Sequence, residues 1–159
     1  MPSESARLSS ATEARYRIQA ANSKPRSIKV IALDARSEAI VKRVATGPWS
    51  RATFLTAAVN VDGWLSDLAG RPRDVMTEVD TADLVVMVAT PGGHAEAASI
   101  IGQACSLKRV MTTALVVGAT SASDEAVSKT LAQVRPWSLM VAIANPDDYI
   151  DDMLVALRA

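Results

Sequence analysis

The sequence predicts an α/β protein: a three-layer, doubly wound parallel five-stranded sheet of Rossmann-like type, with strand order 2-1-3-4-5. Three observations carry this. The uncharged strand Leu84-Val85-Val86-Met87-Val88-Ala89 runs into Thr90-Pro91-Gly92-Gly93-His94, then an alanine-rich helix, then a second apolar strand, which is one βαβ crossover. Five apolar runs alternate with helical patterns over the chain, as a parallel sheet requires. The composition is 49% hydrophobic but only 4% aromatic, so the core is built from Ala, Val, Leu, Ile and Met, as suits strands buried on both faces.

Residues 1–26 show little apolar periodicity; Leu8, Ala11, Ala14 and Ile18 share one helix face, and Asn22 to Pro25 reads as a break. This stretch is expected to be an N-terminal arm, helical or disordered, preceding a single domain over 27–159. The first strand, Ser27 to Leu33, ends at Asp34, whose carboxylate can cap the following helix by accepting from its free N–H groups. Ile40, Val41 and Val44 form that helix's buried face, and Gly47-Pro48 ends it. A second strand, Ala52 to Ala58, precedes Asn60 to Gly63 and a short helical piece around Trp64, Leu65 and Leu68; Gly70-Arg71-Pro72-Arg73 is a turn.

The third strand is Asp83 to Ala89, with its helix from about Gly93 to Ser106, and the fourth is Val110 to Val117. Ser121 or Ser123 opens the next helix, with Asp124 and Glu125 complementing the dipole, Val127, Leu131 and Val134 buried, and Pro136 as terminator. The fifth strand, Ser138 to Ala144, is followed by Asn145-Pro146, a cap with proline at the first helical position. Ile150, Met153, Leu154 and Leu157 then give the last helix its core stripe.

Charge and cysteine content narrow the function. Seventeen basic residues balance seventeen acidic ones, which offers no long-range attraction for a phosphate backbone or an anionic membrane, so neither nucleic acid nor membrane is an expected partner. No run approaches the roughly 18 apolar residues of a spanning helix, and no apolar signal-peptide centre precedes the first strand. The single Cys105 forms no internal disulfide, which fits a reduced, cytoplasmic chain.

Several segments line up, in order and rough spacing, with the nucleotide-binding half of FtsZ/tubulin-type GTPases. They are Ile28-Lys29-Val30-Ile31, Ala39-Ile40-Val41-Lys42-Arg43-Val44, Ala52 to Ala58, Ala82-Asp83-Leu84-Val85, Gly92-Gly93, Ala97-Ala98-Ser99-Ile100-Ile101, Leu115-Val116-Val117 and Asn145-Pro146-Asp147. The chain resembles that half over residues 27–148, and the resemblance implies a nucleotide-binding shape. It departs from the family at both phosphate loops: Asp34-Ala35-Arg36-Ser37 stands where the family has a glycine-rich loop, and Gly92-Gly93 continues into His94-Ala95-Glu96. A carboxylate about 4 Å from a phosphate costs on the order of 1 to 4 kcal/mol, depending on screening. GTP hydrolysis and polymerisation therefore do not carry over. A receiver-domain phosphorelay is excluded too, because the third strand ends without an acceptor aspartate.

The carboxyl ends of parallel strands gather the candidate cleft: Asp34, Thr90, Gly92, Gly93, Thr120, Ser121 and Asn145 as ligand-binding residues. Gly92-Gly93 would let an anion approach the backbone, or would simply turn the chain from strand to helix. His94, the one histidine, is the candidate catalytic base; no serine, cysteine or carboxylate stands at triad spacing from it, and one histidine with one cysteine makes no typical zinc site. Asp147, Asp148, Asp151 and Asp152 lack Ca²⁺-loop spacing and read as dipole complementation, so no metal is expected. Trp49, Trp64 and Trp137 stand beside turns, as core edges or as a partner-binding patch.

The expected function is a non-catalytic domain without a resident cofactor, acting through a protein partner, through homo-oligomers, or by binding a small anionic ligand. The alternative is a small nucleotide- or anion-binding enzyme using the Thr90 to His94 turn.

Overall fold

The structure is a computed structural model that describes residues 26–61, 64–144 and 149–157. The expected N-terminal arm, up to Pro25, and Asn145 to Asp148 lie outside the described residues.

Seven strands form one mixed sheet: β1 (Ile28–Ala32), β2 (Ala52–Val61), β3 (Trp64–Asp67), β4 (Pro72–Asp74), β5 (Leu84–Ala89), β6 (Met111–Val117) and β7 (Met140–Ala144). Their order across the sheet is β4-β3-β2-β1-β5-β6-β7. Pairings from β2 to β7 are parallel, whereas β2 with β3 and β3 with β4 are antiparallel. Among the described residues five α-helices accompany them: α1 (Ala35–Val44), α2 (Val75–Asp80), α3 (Ala97–Lys108), α4 (Asp124–Val134) and α5 (Tyr149–Ala156). The protein is thus α/β and mostly parallel, but the expected five-stranded, all-parallel sheet of order 2-1-3-4-5 is corrected to a seven-stranded mixed one.

The correction has a local cause. The segment around Trp64, Leu65 and Leu68, expected as a helical piece, is strand β3, paired back on β2 with Val61 opposite Trp64. Leu65 is buried and Trp64 is 48% exposed, the alternation of a half-covered strand. Asp67 then organises the return: its Oδ1 accepts from the Ala69 and Arg71 N–H groups at 3.0 and 2.9 Å, and its Oδ2 from Arg71 Nε at 2.8 Å. The expected turn at Gly70 to Arg73 holds at its start and becomes β4 from Pro72.

Sheet faces alternate strictly along the central strands. Ile28, Val30 and Ala32 of β1 pack with Val41 and Val44 of α1 and with Ile150 and Leu154 of α5. Ile31 faces the other way, with Val79 of α2, Ile101 and Cys105 of α3 and Val134 of α4. Lys29 shares this second face and is only 7% exposed; its Nζ reaches Glu78 Oε2 at 3.0 Å and Thr53 Oγ1 at 3.3 Å. The short helix α2 therefore supplies the carboxylate that a buried lysine in the sheet's centre requires.

Candidate functional site

The loops that follow β1, β5 and β6 open at the carboxyl ends of the parallel strands, and Asp34 joins the first two of them. It caps α1, with Oδ1 accepting from the Ser37 N–H at 2.8 Å while Ser37 Oγ accepts from the Asp34 N–H at 3.1 Å. It also reaches across to the next loop: the Thr90 hydroxyl donates to Oδ1 and the Thr90 N–H to Oδ2, both at 2.9 Å. The carboxylate is buried, at 7% exposure, with both oxygens engaged. The expected capping role is present, and the bridge to Thr90 is an addition that no local sequence pattern announces.

The Thr90 to His94 turn is held from two sides. Below it lies Asp34; above it, α4 contributes Thr130, whose Oγ1 accepts from the Gly92 N–H at 3.0 Å, and Gln133, whose Oε1 accepts from the Ala95 N–H at 3.4 Å. Gly92 has φ +82°, which only glycine adopts without strain. At Gly93 a Cβ would meet Asp34 Oδ2 at 2.6 Å and Asp34 Cβ at 3.0 Å. The glycine pair is thus needed for the turn to seat on Asp34.

Two adjoining clefts flank this turn. One, of about 340 Å³, lies between Asp34, Arg36 and the Thr90 to His94 turn. The other, of about 220 Å³, extends along Arg36, Ile40 and Thr90 to Val117, Gly118 and Ser121. Arg36 borders both. It is exposed on the first turn of α1, and among the described residues it has no ion-pair partner. Sequence reading passed over Arg36, Thr130 and Gln133; only the position of Arg36 two residues after the cap Asp34 offered a signal.

The structure brings together Asp34, Thr90, Gly92, Gly93 and His94 around the larger cleft and Ser121 around the smaller. Ser121 Oγ donates to the Gly118 carbonyl at 3.1 Å, and Thr120 is exposed on the same turn. Asn145 falls outside the described residues. The His94 imidazole is 88% exposed, with Nδ1 3.7 Å from Glu96 Oε1, too far for a hydrogen bond. It lacks the buried, oriented setting in which a base and its positioning group usually act.

The remaining candidates are structural. Cys105 is buried and its thiol is pushed up to about 11 by burial, opposed by a hydrogen bond with Thr112, so it stays a protonated thiol at neutral pH. Asp151 pairs with Arg43 at 3.3 Å. Trp49 donates from Nε1 to the Val44 carbonyl at 2.7 Å, and Trp137 packs on the face of the sheet that carries α3. Among the described residues no cluster of three or more His, Cys, Asp or Glu could hold a metal, and no helix is long and apolar enough to cross a membrane.

The fold defines an α/β protein with a mostly parallel, seven-stranded mixed sheet. Among solved structures it is similar to translation elongation factor SelB from Methanococcus maripaludis in complex with the GTP analogue GppNHp, with TM-score 0.51 and 8% identity, over 84% of this chain and 33% of that one. The chain therefore spans about a third of the length of that protein, and the likeness is one of fold alone. No family model and no curated protein sequence matches the chain.

Proposed function

We propose that this chain is a non-catalytic binding domain whose strand-end rim takes a small anion on Arg36, or docks a protein partner, without turning over a nucleotide. The observation that carries this reading is the place of the Asp34 carboxylate. In phosphate-binding α/β proteins a glycine-rich first loop leaves the helix N–H groups open to the ligand. Here those of α1 face a carboxylate that is part of the protein, so a nucleotide phosphate seated on the helix end would be repelled, and the exposed Arg36 guanidinium at the mouth of the cleft is the cationic group left for a small anion.

The finer resemblance, to the nucleotide-binding half of FtsZ/tubulin-type GTPases, fits the same account as a shape kept while its phosphate loops were lost. The alternative, an enzyme using His94, is favoured only by the position of that imidazole at the larger cleft.

Arg36 decides the matter because it borders both clefts and is not built into the fold. Thermal-shift measurements with inorganic phosphate, short organic acids, phosphosugars and GTP–Mg²⁺ are expected to show stabilisation by a small anion. Arg36→Ala should abolish that shift and leave the ligand-free melting temperature within about 2 °C of the parent's, as for other surface substitutions. Preferential stabilisation by GTP, or phosphate release from it, would replace this reading with the enzyme. Gly93→Asp is unsuited to the test, since its side chain would collide with Asp34 and report on folding.

A further inference from the structure

The two edges of the sheet are built differently. The β4 edge carries Pro72, Arg73 and Asp74, and Arg73 is engaged by Glu78 at 3.4 Å; proline and charge on an edge discourage another strand from adding. At the β7 edge, the run Ser138 to Ala144 holds no charge and no proline. Leu139, Met140 and Ile143 there are 75%, 58% and 52% exposed. Among the described residues no strand pairs with the outer side of β7, and an uncharged, apolar edge strand is a template for pairing.

The exposed side chains lie on both faces of that strand. Val141 packs with the α3 and α4 side of the sheet and Ala142 with the α1 and α5 side, so alternation puts Leu139 and Ile143 on the first face and Met140 on the second. A helix laid on one face would cover only part of this surface. A further strand covers both.

We infer that β7 pairs antiparallel with β7 of a second copy of this chain, about a two-fold axis normal to the sheet, so that one sheet runs through both copies. Centred on Ala142, this register sets Met140 beside the partner's Ala144 and Ile143 beside the partner's Val141. Met140 and Ile143 each then meet a smaller side chain, and no like charges face each other. Residues 1–25 are a poorer occupant: among them only Thr12, Tyr16 and Ile18 are β-branched or aromatic, and Ser, Ala, Arg and Glu are weak strand formers. No residue of β7 lines the Arg36 clefts, so the inference does not depend on what binds there.

A five-residue strand pair with its flanking side chains falls short of the roughly 800 Å² per partner of a standard interface, so a micromolar dimer is expected. Sedimentation velocity on the full chain, from about 1 to about 200 µM, should show the mass rising from 16.8 kDa toward twice that value. Met140→Lys with Ile143→Lys, which sets lysines on both faces of the edge, should weaken association at least about tenfold. Leu107→Lys, at a residue 76% exposed on α3, should leave it unchanged. A single-chain mass across the whole range, or a double variant that associates like the parent, overturns the inference. Should the double variant melt early, hydrogen exchange on the parent decides: protection at 138–144 that grows with protein concentration supports the pairing, and protection that does not grow overturns it.

Discussion

Asp34 illustrates what a single residue can and cannot reveal from sequence. Its cap was legible because the interaction is local: an aspartate directly before an apolar-periodic helix has one obvious use. Its hold on Thr90 was not, because the partner stands 56 residues on and meets it only after the sheet forms. The distinction has an energetic consequence. Asp34→Ala removes the cap and also leaves the buried Thr90 N–H and hydroxyl without acceptors, so it should cost about 3 kcal/mol rather than the ~1 of a lost cap. Urea unfolding at neutral pH measures the difference; a loss near 1 kcal/mol would mean that the Thr90 groups find water instead. Lys29 gives a second case, since a lysine inside an apolar strand resembles an exposed position until α2 covers it. Glu78→Ala leaves that ammonium buried with only Thr53 beside it, and should destabilise by about 3–5 kcal/mol. Replacing both partners, Lys29→Met with Glu78→Leu, should recover most of that loss, and chemical denaturation of the three variants compares them.

At the scale of elements, long periodic segments were readable and short ones were not. β1, β5 and β6 announce themselves because strands buried on both faces read as continuous apolar runs, and α1, α4 and α5 because their stripes repeat over ten or so residues. β3 failed because Trp64, Leu65 and Leu68 satisfy a helical spacing over too few residues to exclude a strand. The better signal was the dipeptide Asp62-Gly63 between two apolar runs, a hairpin signature. The helix α2 passed unnoticed although Asp74 stands at its cap and Val75 and Val79 are both buried at i, i+4. The β3–β4 return depends on Asp67, whose carboxyl is held below the usual carboxylate value of 3.8, chiefly by the Arg71 N–H, with the Arg71 side chain and the Ala69 N–H adding. A carboxyl whose folded value is depressed contributes stability that is fully present above its unfolded value and is lost as pH falls through the folded one. Asp67→Asn should therefore flatten the pH dependence of unfolding below 3.8 while changing little at neutral pH beyond a constant offset. Parallel slopes for parent and variant in acid would remove Asp67 from that role.

Over the whole molecule, the sheet joins two regimes of covering. β1, β5 and β6 lie between helices on both sides, and their side chains are almost all buried. The antiparallel extension β3–β4 is a short edge, resting on α2 and on the ion pairs of Asp67, Arg73 and Glu78. The candidate site belongs to the first regime, since Asp34 and the Thr90 turn grow directly from β1 and β5 and are clamped by α4. Such a rim is preorganised for binding, and its rigidity should be measurable apart from any ligand. In native-state hydrogen exchange, amides of β1, β5 and β6 should open only with global unfolding, and the Thr90 and Gly92 amides, bonded to Asp34 and Thr130, should be the best protected among the rim loops. The β3–β4 amides should exchange earlier, through a sub-global opening that leaves the parallel core intact. Thr130→Val, which removes the acceptor of the Gly92 N–H but keeps the side-chain shape, should speed exchange at Gly92 without altering β5. If Gly92 instead exchanges as fast as an exposed loop in the parent, the turn is not held from α4, and the rim loses the stiffness on which the proposed anion binding at Arg36 depends.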